Sequence, residues 1–401
     1  MVGGRFVSRF TRRVVPRSAA TGSAGLVAVA ALSLVFVLSA AADTGAIAES
    51  VIPTANAQPV GIVTGPDGNL WFSEAAGNKI GRLTPGGQFT EFEIPTPASV
   101  PDDVALGPDG NIWFGETATN KVARISPSGS FSAFPLPEPA SVPIGVTAGP
   151  DGNVWFTEVA GNRIGRITPD GAISEFTVPT PGARPLVPAA GPDGGIWFTE
   201  QLGNKIGRLD PSSGTFEEFP LSHPNSRPFE ITDGPDGNLW FTERLGNRIG
   251  RITPSGDITE FTVPTAGARP NTIRRGPDPN PAADCAFQRD SLGDAQFSAA
   301  YGSFGGCVST LGSTRTLWFT EDTGNRVAQI TTDGTIFEFP LPTPGSHPIG
   351  ITEGPDGAVW FAENTANEIG RLDVQAVGQP AAPGLGSDTG GLLVPGAVDG
   401  E

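Results

Sequence analysis

Residues 65–95 read GPDGNLWFSEAAGNKIGRLTPGGQFTEFEIP, and similar stretches recur along the 401-residue chain. The stretch at 191–221, GPDGGIWFTEQLGNKIGRLDPSSGTFEEFPL, repeats its turn residues and its apolar positions. All seven tryptophans fall in this motif, at successive intervals of 42, 42, 42, 43, 78 and 42 residues. A fixed period near 42 indicates stacked copies of one supersecondary unit. The tryptophans are Trp71, Trp113, Trp155, Trp197, Trp240, Trp318 and Trp360.

Each copy of the repeat contains four short apolar-rich runs separated by turn sequences. In the first copy these runs are 60–64, 70–74, 79–84 and 89–94. The sequence Pro-Asp-Gly-Asn at 66–69 predicts a tight turn, because Pro presets φ and Gly accepts a positive φ. Four strands in about 40–45 residues is the size of a propeller blade. We therefore predict an all-β fold, a seven-bladed β-propeller of four-stranded blades.

The two ends of the repeat array predict a closed ring. The seventh copy stops after 369–372 and lacks its fourth strand, whereas residues 45–54 (GAIAESVIPT) align with the fourth strand of the third copy at 171–180 (GAISEFTVPT). We expect the N-terminal strand to complete blade seven, which leaves only short strand edges exposed. An open solenoid is the alternative, but it leaves this match unexplained.

The composition agrees with a turn-rich, acidic β protein. The 55 Gly and 40 Pro disfavour long helices, and 24 Phe together with seven Trp require a packed core. The net charge is −17, and it becomes −22 without residues 1–42, which hold five Arg and no acidic residue. Such a surface disfavours nucleic acid and anionic membranes as partners. We expect a monomer.

The N-terminal segment is typical of an export signal. A basic leader precedes an apolar run at 25–42, and small residues stand before Asp43. We predict a signal peptide at 1–42, with an uncleaved signal anchor as the alternative. The Arg12–Arg13 pair hints at the twin-arginine route. The mature propeller, residues 43–373, is then secreted or extracytoplasmic and free of the membrane.

Two segments depart from the repeat. Residues 279–314 form an insertion in blade six that contains Cys285 and Cys307, the two cysteines of the chain. Export places the chain where a disulfide between them can persist. Residues 374–401 are rich in Gly, Pro and Ala without a period, and we predict a disordered tail.

The strand order predicts where a site lies. We name the strands of a blade A to D from the axis outward. The proline that opens each A strand should lie beside the glutamate that ends the antiparallel B strand, near the axis. Each glutamate either accepts hydrogen bonds from neighbouring backbone or from the repeated Lys or Arg, or one or two of them bind a divalent cation. The glutamates are Glu74, Glu116, Glu158, Glu200, Glu243, Glu321 and Glu363.

Positions that break the sevenfold symmetry are the candidates for ligand binding. The residue before the A-strand proline is Arg or His in four consecutive blades, whereas blade two carries Asp102 and Asp103 after its proline. Arg guanidinium groups suit carboxylate or phosphate, so one hypothesis is an anion-binding crescent. The alternative is that each Arg pairs with a nearby Glu. The crescent consists of Arg184, Arg227, Arg269 and His347, with Asn271 beside it.

The units GPDGNLWFTE and GNRIGRITPSGDITEFTVPT resemble those of the streptogramin B lyase (virginiamycin B lyase) family, over residues 43–373. The resemblance implies a seven-bladed propeller that acts as a magnesium-dependent C–O lyase and opens cyclic depsipeptide antibiotics by elimination. It also implies a general-base His within a Glu-Pro-His-Gly-Ile stretch. The Glu that ends the following B strand is implied to bind the metal.

The chain departs from this pattern at the positions that carry the chemistry. The matching stretch is His347-Pro-Ile-Gly-Ile, so the base position holds Ile349 and the Glu position holds His347. A further His position of the family holds Asn271, and Glu363 remains at the implied metal position. Elimination needs a base near the substrate, and His347 is the candidate in a shifted arrangement. The second histidine, His223, lies in a D-to-A loop and is expected at the surface.

Three functions follow from these observations. The first is a binding module that recognises a small anionic molecule, a glycan or a peptide on its Arg-lined axial face and needs no cofactor. The second is a C–O lyase of the family type with a rearranged site and bound magnesium. The third is a protein-interaction scaffold that uses the insertion with its two cysteines.

Overall fold

The computed structural model describes residues 46–278 and 316–376. Within these ranges 28 strands form seven antiparallel four-stranded sheets, which confirms the seven-bladed β-propeller. The predicted leader, the insertion with Cys285 and Cys307, and residues 377–401 of the predicted tail lie outside the described residues. Inside them, no helix has the length and apolar character needed to cross a membrane.

The first four blades follow one pattern of strand lengths. Blade one contains β2 (Pro59–Thr64), β3 (Leu70–Glu74), β4 (Lys79–Leu83) and β5 (Phe89–Glu93). Blade two contains β6 (Pro101–Leu106), β7 (Ile112–Glu116), β8 (Lys121–Ile125) and β9 (Phe131–Pro135). Blade three contains β10 (Pro143–Ala148), β11 (Val154–Glu158), β12 (Arg163–Ile167) and β13 (Ile173–Thr177). Blade four contains β14 (Pro185–Ala190), β15 (Ile196–Glu200), β16 (Lys205–Leu209) and β17 (Phe216–Pro220).

Blades five and seven keep this pattern, blade six has longer strands, and the first strand of the chain completes blade seven. Blade five contains β18 (Pro228–Asp233), β19 (Leu239–Glu243), β20 (Arg248–Ile252) and β21 (Ile258–Thr262). Blade six contains β22 (Pro270–Gly276), β23 (Thr316–Glu321), β24 (Arg326–Thr331) and β25 (Ile336–Pro340). Blade seven contains β26 (Pro348–Glu353), β27 (Val359–Glu363), β28 (Glu368–Leu372) and β1 (Ile47–Val51).

Ring closure occurs as predicted. Strand β1 pairs antiparallel with β28 from Ile47↔Leu372 to Val51↔Glu368, and the sheet order is β1-β28-β27-β26. Val374 is buried in the core of blade seven, so the ordered fold continues past the predicted boundary at 373. The ends of the propeller are therefore joined through the outer half of one sheet.

The core consists of apolar layers between neighbouring blades. Successive residues of a strand point to opposite faces, so the Trp and Phe of each B strand pack on different neighbours. Trp71 stacks on Phe92 at 5.5 Å between ring centroids and packs with Phe114 of blade two. Phe72 lies over Gly81, where an added Cβ would stand 2.1 Å from the ring. Both aromatic residues are fully buried.

A β-bulge in each A strand directs side chains toward the axis. The opening proline pairs with the glutamate that ends the B strand, as in Pro143↔Glu158, and the register then shifts before Val146. The amide of Gly145, within the bulge, donates to the Thr157 hydroxyl, which donates to the carbonyl of Leu186 in the next blade. Bulges commonly turn side chains toward functional sites. The same pairing of Pro with Glu occurs in all seven blades, which confirms the predicted juxtaposition.

Candidate functional site

A cavity of about 300 Å³ lies where the bulged segments converge near the ring axis. Its apolar walls come from five different blades, and its polar lining comes from blades two, four, five and six. The apolar residues that matter below are Val60, Ile144, Leu186, Phe229 and Ile349. The charged residues are Asp102, Asp103, Arg184, Glu230, Arg244 and Arg274. An apolar cavity with a few charged groups is the usual form of a small-molecule site.

Arg274 links opposite sides of this cavity. Its guanidinium forms an ion pair with Glu230 of blade five, and its second terminal nitrogen lies 3.8 Å from Oδ1 of Asp103 in blade two. The other oxygen of Asp103 accepts a hydrogen bond from the Val146 amide at 3.2 Å. One cation from blade six is therefore shared by two carboxylates that the ring brings together from separate blades.

The buried setting changes the proton affinity of these groups. Burial and the neighbouring charge of Asp103 together raise the pKa of Asp102 to about 7. Burial also raises the pKa of Asp103, although the Arg274 charge opposes this effect. For Arg274, burial lowers the pKa and the Asp103 carboxylate raises it. Asp102 can thus carry a proton near neutral pH and donate a hydrogen bond into the cavity.

The predicted arginine crescent is divided by the structure. Arg184, Arg227 and Arg269 occupy equivalent positions before their prolines, and each has a positive φ between 54° and 56°. In the described part of the chain none of the three makes an ion pair, so the alternative in which each pairs with a nearby Glu is not what the structure shows. Only Arg184 lines the cavity. Arg227 and Arg269 are not among the residues that line it.

His347 belongs to a separate hydrogen-bonded group at the rim. Its Nδ1 lies 2.7 Å from Oδ1 of Asp322, and the second oxygen of Asp322 binds Arg244. The Arg244 guanidinium lies 5.1 Å from the ring centroid of Phe229. This arrangement fixes the imidazole through Nδ1 and leaves Nε2 available to a ligand. His223 is exposed, as expected, and its Nδ1 lies 2.5 Å from Glu260.

The positions implied by the family resemblance do not assemble into one centre. Ile349 lines the cavity with an apolar side chain, whereas Asn271 is buried on β22 and is not among the lining residues. The imidazole of His347 binds Asp322, whereas the carboxylate of Glu363 groups with Glu49 and Glu368 on the outer strands. The residues at the implied positions therefore belong to separate groups and do not form one magnesium site.

Most of the seven glutamates that end the B strands do not accept the hydrogen bonds that one of the two predicted roles requires. Glu116 accepts a hydrogen bond from Thr119 and Glu243 accepts one from Arg248, at 2.8 and 3.4 Å. Among the described residues the other five have both carboxyl oxygens buried without a hydrogen-bond partner: Glu74, Glu158, Glu200, Glu321 and Glu363. The prediction that each glutamate is hydrogen bonded is wrong for these five. In four of their blades the repeated Lys or Arg turns toward the D strand or stays at 3.9 Å, and blade seven has Glu368 at this position.

The burial of these glutamates favours their neutral form. Burial, together with the neighbouring charges of Glu91 and Glu175, raises the pKa of Glu74 and of Glu158 to about 7. For Glu321, burial and the adjacent carboxylate of Glu338 raise the pKa to about 9. Buried carboxylic acids without a paired cation commonly keep their protons near neutral pH.

Sequence reasoning missed four residues of the site: Glu230, Arg244, Arg274 and Asp322. Glu230 stands two residues after its proline, where blades one, three and seven have glycine. Arg274 pairs with Trp318 at a position that is Val, Ala or Thr in the other blades. Arg244 and Asp322 directly follow the B-strand glutamates. Each residue is visible as an outlier once these columns of the repeat are compared.

The fold and this cavity define a seven-bladed propeller with an asymmetric, ligand-sized site at one end of its axis. The sequence profile of the virginiamycin B lyase family matches residues 38–213, 186–281 and 295–379. Together these matches cover most of the chain. The chain belongs to the virginiamycin B lyase family.

Solved structures support this assignment. A streptogramin B lyase structure is 38% identical, with a TM-score of 0.69, over 82% of this chain and 97% of that one. Virginiamycin B lyase from Staphylococcus aureus is 36% identical, also with a TM-score of 0.69, over 81% of this chain and 98% of that one. A catalytically inactive His-to-Ala variant of the latter has been solved with quinupristin. A curated virginiamycin B lyase from Nocardia farcinica is 43% identical over 58 residues, 14% of this chain and a fifth of that protein.

Proposed function

We propose that the chain is an exported ligand-binding propeller of this family, which takes a small, partly apolar molecule bearing a carboxylate at its axial cavity. The observation that carries the proposal is Arg184, a guanidinium without an ion-pair partner at the edge of a cavity with apolar walls. A free guanidinium at such a position suits the two oxygens of a carboxylate.

The other lining residues support the same class of ligand. Leu186 and Phe229 offer apolar contact to the body of a short peptide or similar molecule. Asp102, with its raised pKa, offers a hydrogen-bond donor to a ligand carbonyl. Glu230 and Asp103 both pair with Arg274 and neither pairs with Arg184, so the charge of Arg184 remains available to the ligand.

The absence of a base at position 349 favours binding over elimination. Ile349 lines the cavity where the family resemblance implies a histidine, and an aliphatic side chain accepts no proton. Binding at this face requires no such group.

The test is calorimetric titration of the full chain with N-acetyl-Leu-Phe and with the same peptide carrying a C-terminal amide. We expect the acid to bind and the amide to bind about 10-fold more weakly, since a hydrogen bond to a charged group contributes about 1.5–3 kcal/mol. Arg184→Ala should weaken binding of the acid by a similar factor. Arg227→Ala is the matched control, because this arginine occupies the equivalent position outside the cavity. Equal affinity of wild type and Arg184→Ala for the acid would exclude the proposal.

A second candidate, lyase activity with a shifted base, is favoured by the geometry of His347. Asp322 holds its Nδ1 at 2.7 Å, so Nε2 is oriented to accept a proton. Ester opening of quinupristin, measured with and without added magnesium, tests this candidate. Activity that is lost in His347→Ala and reduced in Asp322→Asn would support it. No ester opening by the wild type would reject it.

The third candidate, an interaction scaffold, depends on the insertion at 279–314 and on the Cys285–Cys307 disulfide. These residues lie outside the described part of the chain, so both remain predictions.

A further inference from the structure

An arginine of strand C joins its blade to the next one in three places. The A-to-B and C-to-D turns lie at the opposite end of the strands from the axial cavity. There the guanidinium lies over the tryptophan of strand B, as in Arg82 at 5.4 Å from the ring centroid of Trp71. It also donates to a carbonyl in the C-to-D turn of the following blade. The pairs are Arg82 with Pro127 at 3.2 Å, Arg124 with Pro169 at 2.9 Å and Arg251 with Thr332 at 3.0 Å.

Blades three and four lack this connection. The C-to-D turn of blade four closes across six residues, 210–215, whereas the turns at 84–88, 126–130, 168–172, 253–257 and 331–335 close across five. Arg208 and Arg371 donate to aspartates of their own blades, at 2.6 and 2.7 Å. Among the six equivalent arginines of the described chain, Arg166 of blade three is therefore the one that makes no hydrogen bond. Its nearest carboxylate oxygen, on Asp151, is 3.8 Å away.

A cavity of about 500 Å³ occupies the groove between these two blades. This volume lies within the range of about 300–1,000 Å³ that is usual for ligand sites. Its lining includes Asp151, Asn153 and Arg166 from blade three, and Arg208, Asp210 and Pro211 from blade four. The cavity shares no residue with the axial site, so it is a second candidate site on the same ring.

Two groups of opposite charge in this cavity have unused hydrogen-bonding capacity. The guanidinium of Arg166 is held 5.6 Å from the ring centroid of Trp155, and its side chain is 30% exposed. Oδ1 of Asp210 accepts three hydrogen bonds from serines of its own turn, and Oδ2 accepts none from the described residues. The hydrogen bonds from Ser212 lower the pKa of Asp210 to about 2, so the group is ionised at neutral pH. Arg166 and Asp210 form no ion pair with each other.

We propose that this cavity binds a neutral carbohydrate, whose hydroxyl groups bridge Arg166 and Asp210. A hydroxyl oxygen accepts a hydrogen bond from a guanidinium, and a hydroxyl proton is donated to a carboxylate, so neighbouring sugar hydroxyls match both groups. The lining disfavours charged ligands, because an anion meets three carboxylates and a cation meets two guanidinium groups. A neutral ligand with several hydroxyl groups avoids both repulsions.

Saturation-transfer NMR of the full chain with cellobiose, maltose and N,N′-diacetylchitobiose tests the proposal. We expect at least one of these neutral disaccharides to bind. The deacetylated, cationic form of the third sugar and the C6-oxidised, anionic form of the first should bind more weakly.

Arg166→Gln should weaken binding of the neutral sugar by about 10-fold, since a hydrogen bond to a charged group is lost. Arg251→Gln is the matched control, because this arginine has the equivalent position in blade five but donates to Thr332. It should leave sugar binding unchanged. Arg184→Ala in the axial cavity should also have no effect, which separates this site from the carboxylate site proposed above.

A further variant is designed to close the cavity by replacing residues 210–215 (DPSSGT) with the shorter turn of 253–257 (TPSGD). We expect it to lose sugar binding without a lower melting temperature. Should it fail to fold, Arg166→Gln and Arg251→Gln decide the question. The proposal is overturned if none of the three neutral disaccharides binds the wild type, or if the charged forms bind as tightly. It is equally overturned if Arg166→Gln binds as the wild type does, or if Arg184→Ala abolishes binding.

Discussion

Glu321 offers a direct test of the buried carboxyl groups at the ends of the B strands. Its side chain is fully buried at the end of β23, and both oxygens lack a hydrogen-bond partner. Burial, together with the neighbouring Glu338, raises its pKa from 4.5 to about 9, which Arg326 only partly opposes. In the folded protein the side chain is therefore neutral at pH 7, and Glu321→Gln should preserve its shape and its charge state.

The expected effect follows from proton linkage. A group with a raised pKa in the folded state stabilises the fold fully below its unfolded pKa, and this stability is lost as pH rises toward the folded value. Between pH 5 and pH 7.5 the unfolded chain ionises at this position while the folded chain does not. Each pKa unit corresponds to 1.36 kcal/mol, so the wild type should lose about 3 kcal/mol relative to Glu321→Gln over this interval.

Urea unfolding followed by tryptophan fluorescence measures this difference at the two pH values. We expect the variant and the wild type to be similar at pH 5 and the variant to be the more stable protein at pH 7.5. Glu116→Gln is the control, because Glu116 accepts a hydrogen bond from Thr119 at 2.8 Å and lies 3.9 Å from Lys121. This control should gain no stability at pH 7.5. A free-energy difference between Glu321→Gln and wild type that is the same at both pH values would refute the reasoning.

Three further predictions concern the core, the ring closure and the axial ion pairs. Phe198→Ala should lower the free energy of unfolding by about 3–5 kcal/mol in urea titrations, because the ring is fully buried. A chain without β1 should form oligomers in size-exclusion chromatography, since β28 then has an unpaired edge. Arg274→Ala should lower the free energy of unfolding by about 3–5 kcal/mol, because Glu230 and Asp103 remain without their cation. The double variant Arg274→Met with Glu230→Gln should recover part of that loss in the same urea assay.

The fold could be predicted from the sequence because every copy of the repeat contains the turn-forming residues that separate its strands. In the first blade the predicted run at 70–74 matches β3, and the other three differ from their strands by one residue at one end. Gly and Pro between the runs leave little freedom in where a strand ends. The alignment of 45–54 with 171–180 then identified the strand that completes blade seven. A single unrepeated copy would not have supported these assignments.

The axial site was predicted in location but not in detail. The bulge after each proline was not expected, and it brings the second following residue into the cavity, so Glu230 was missed. The reach of Arg274 to Asp103 depends on the width of the ring, which sequence spacing does not give. Arginines at equivalent positions of the repeat also differ in whether they line the cavity, since Arg184 does and Arg227 does not. Local geometry, and not residue type, separates the two arginines.

Departures from the sevenfold pattern fall into two groups. One group contains carboxylates paired with a cation, and the other contains carboxylates without a paired cation. On the axis, Asp103, Glu230 and Arg274 come from three blades and compensate one another, so the buried charges are stable only when all three are present. At the closure of blade seven, Glu49, Glu363 and Glu368 lie close together, and no Lys, Arg or His among the described residues forms an ion pair with them. The first group contains both the carboxylates and the cation that pairs with them. The second group lacks such a cation, and burial raises the pKa of Glu363 to about 8, so protons reduce its negative charge near neutral pH.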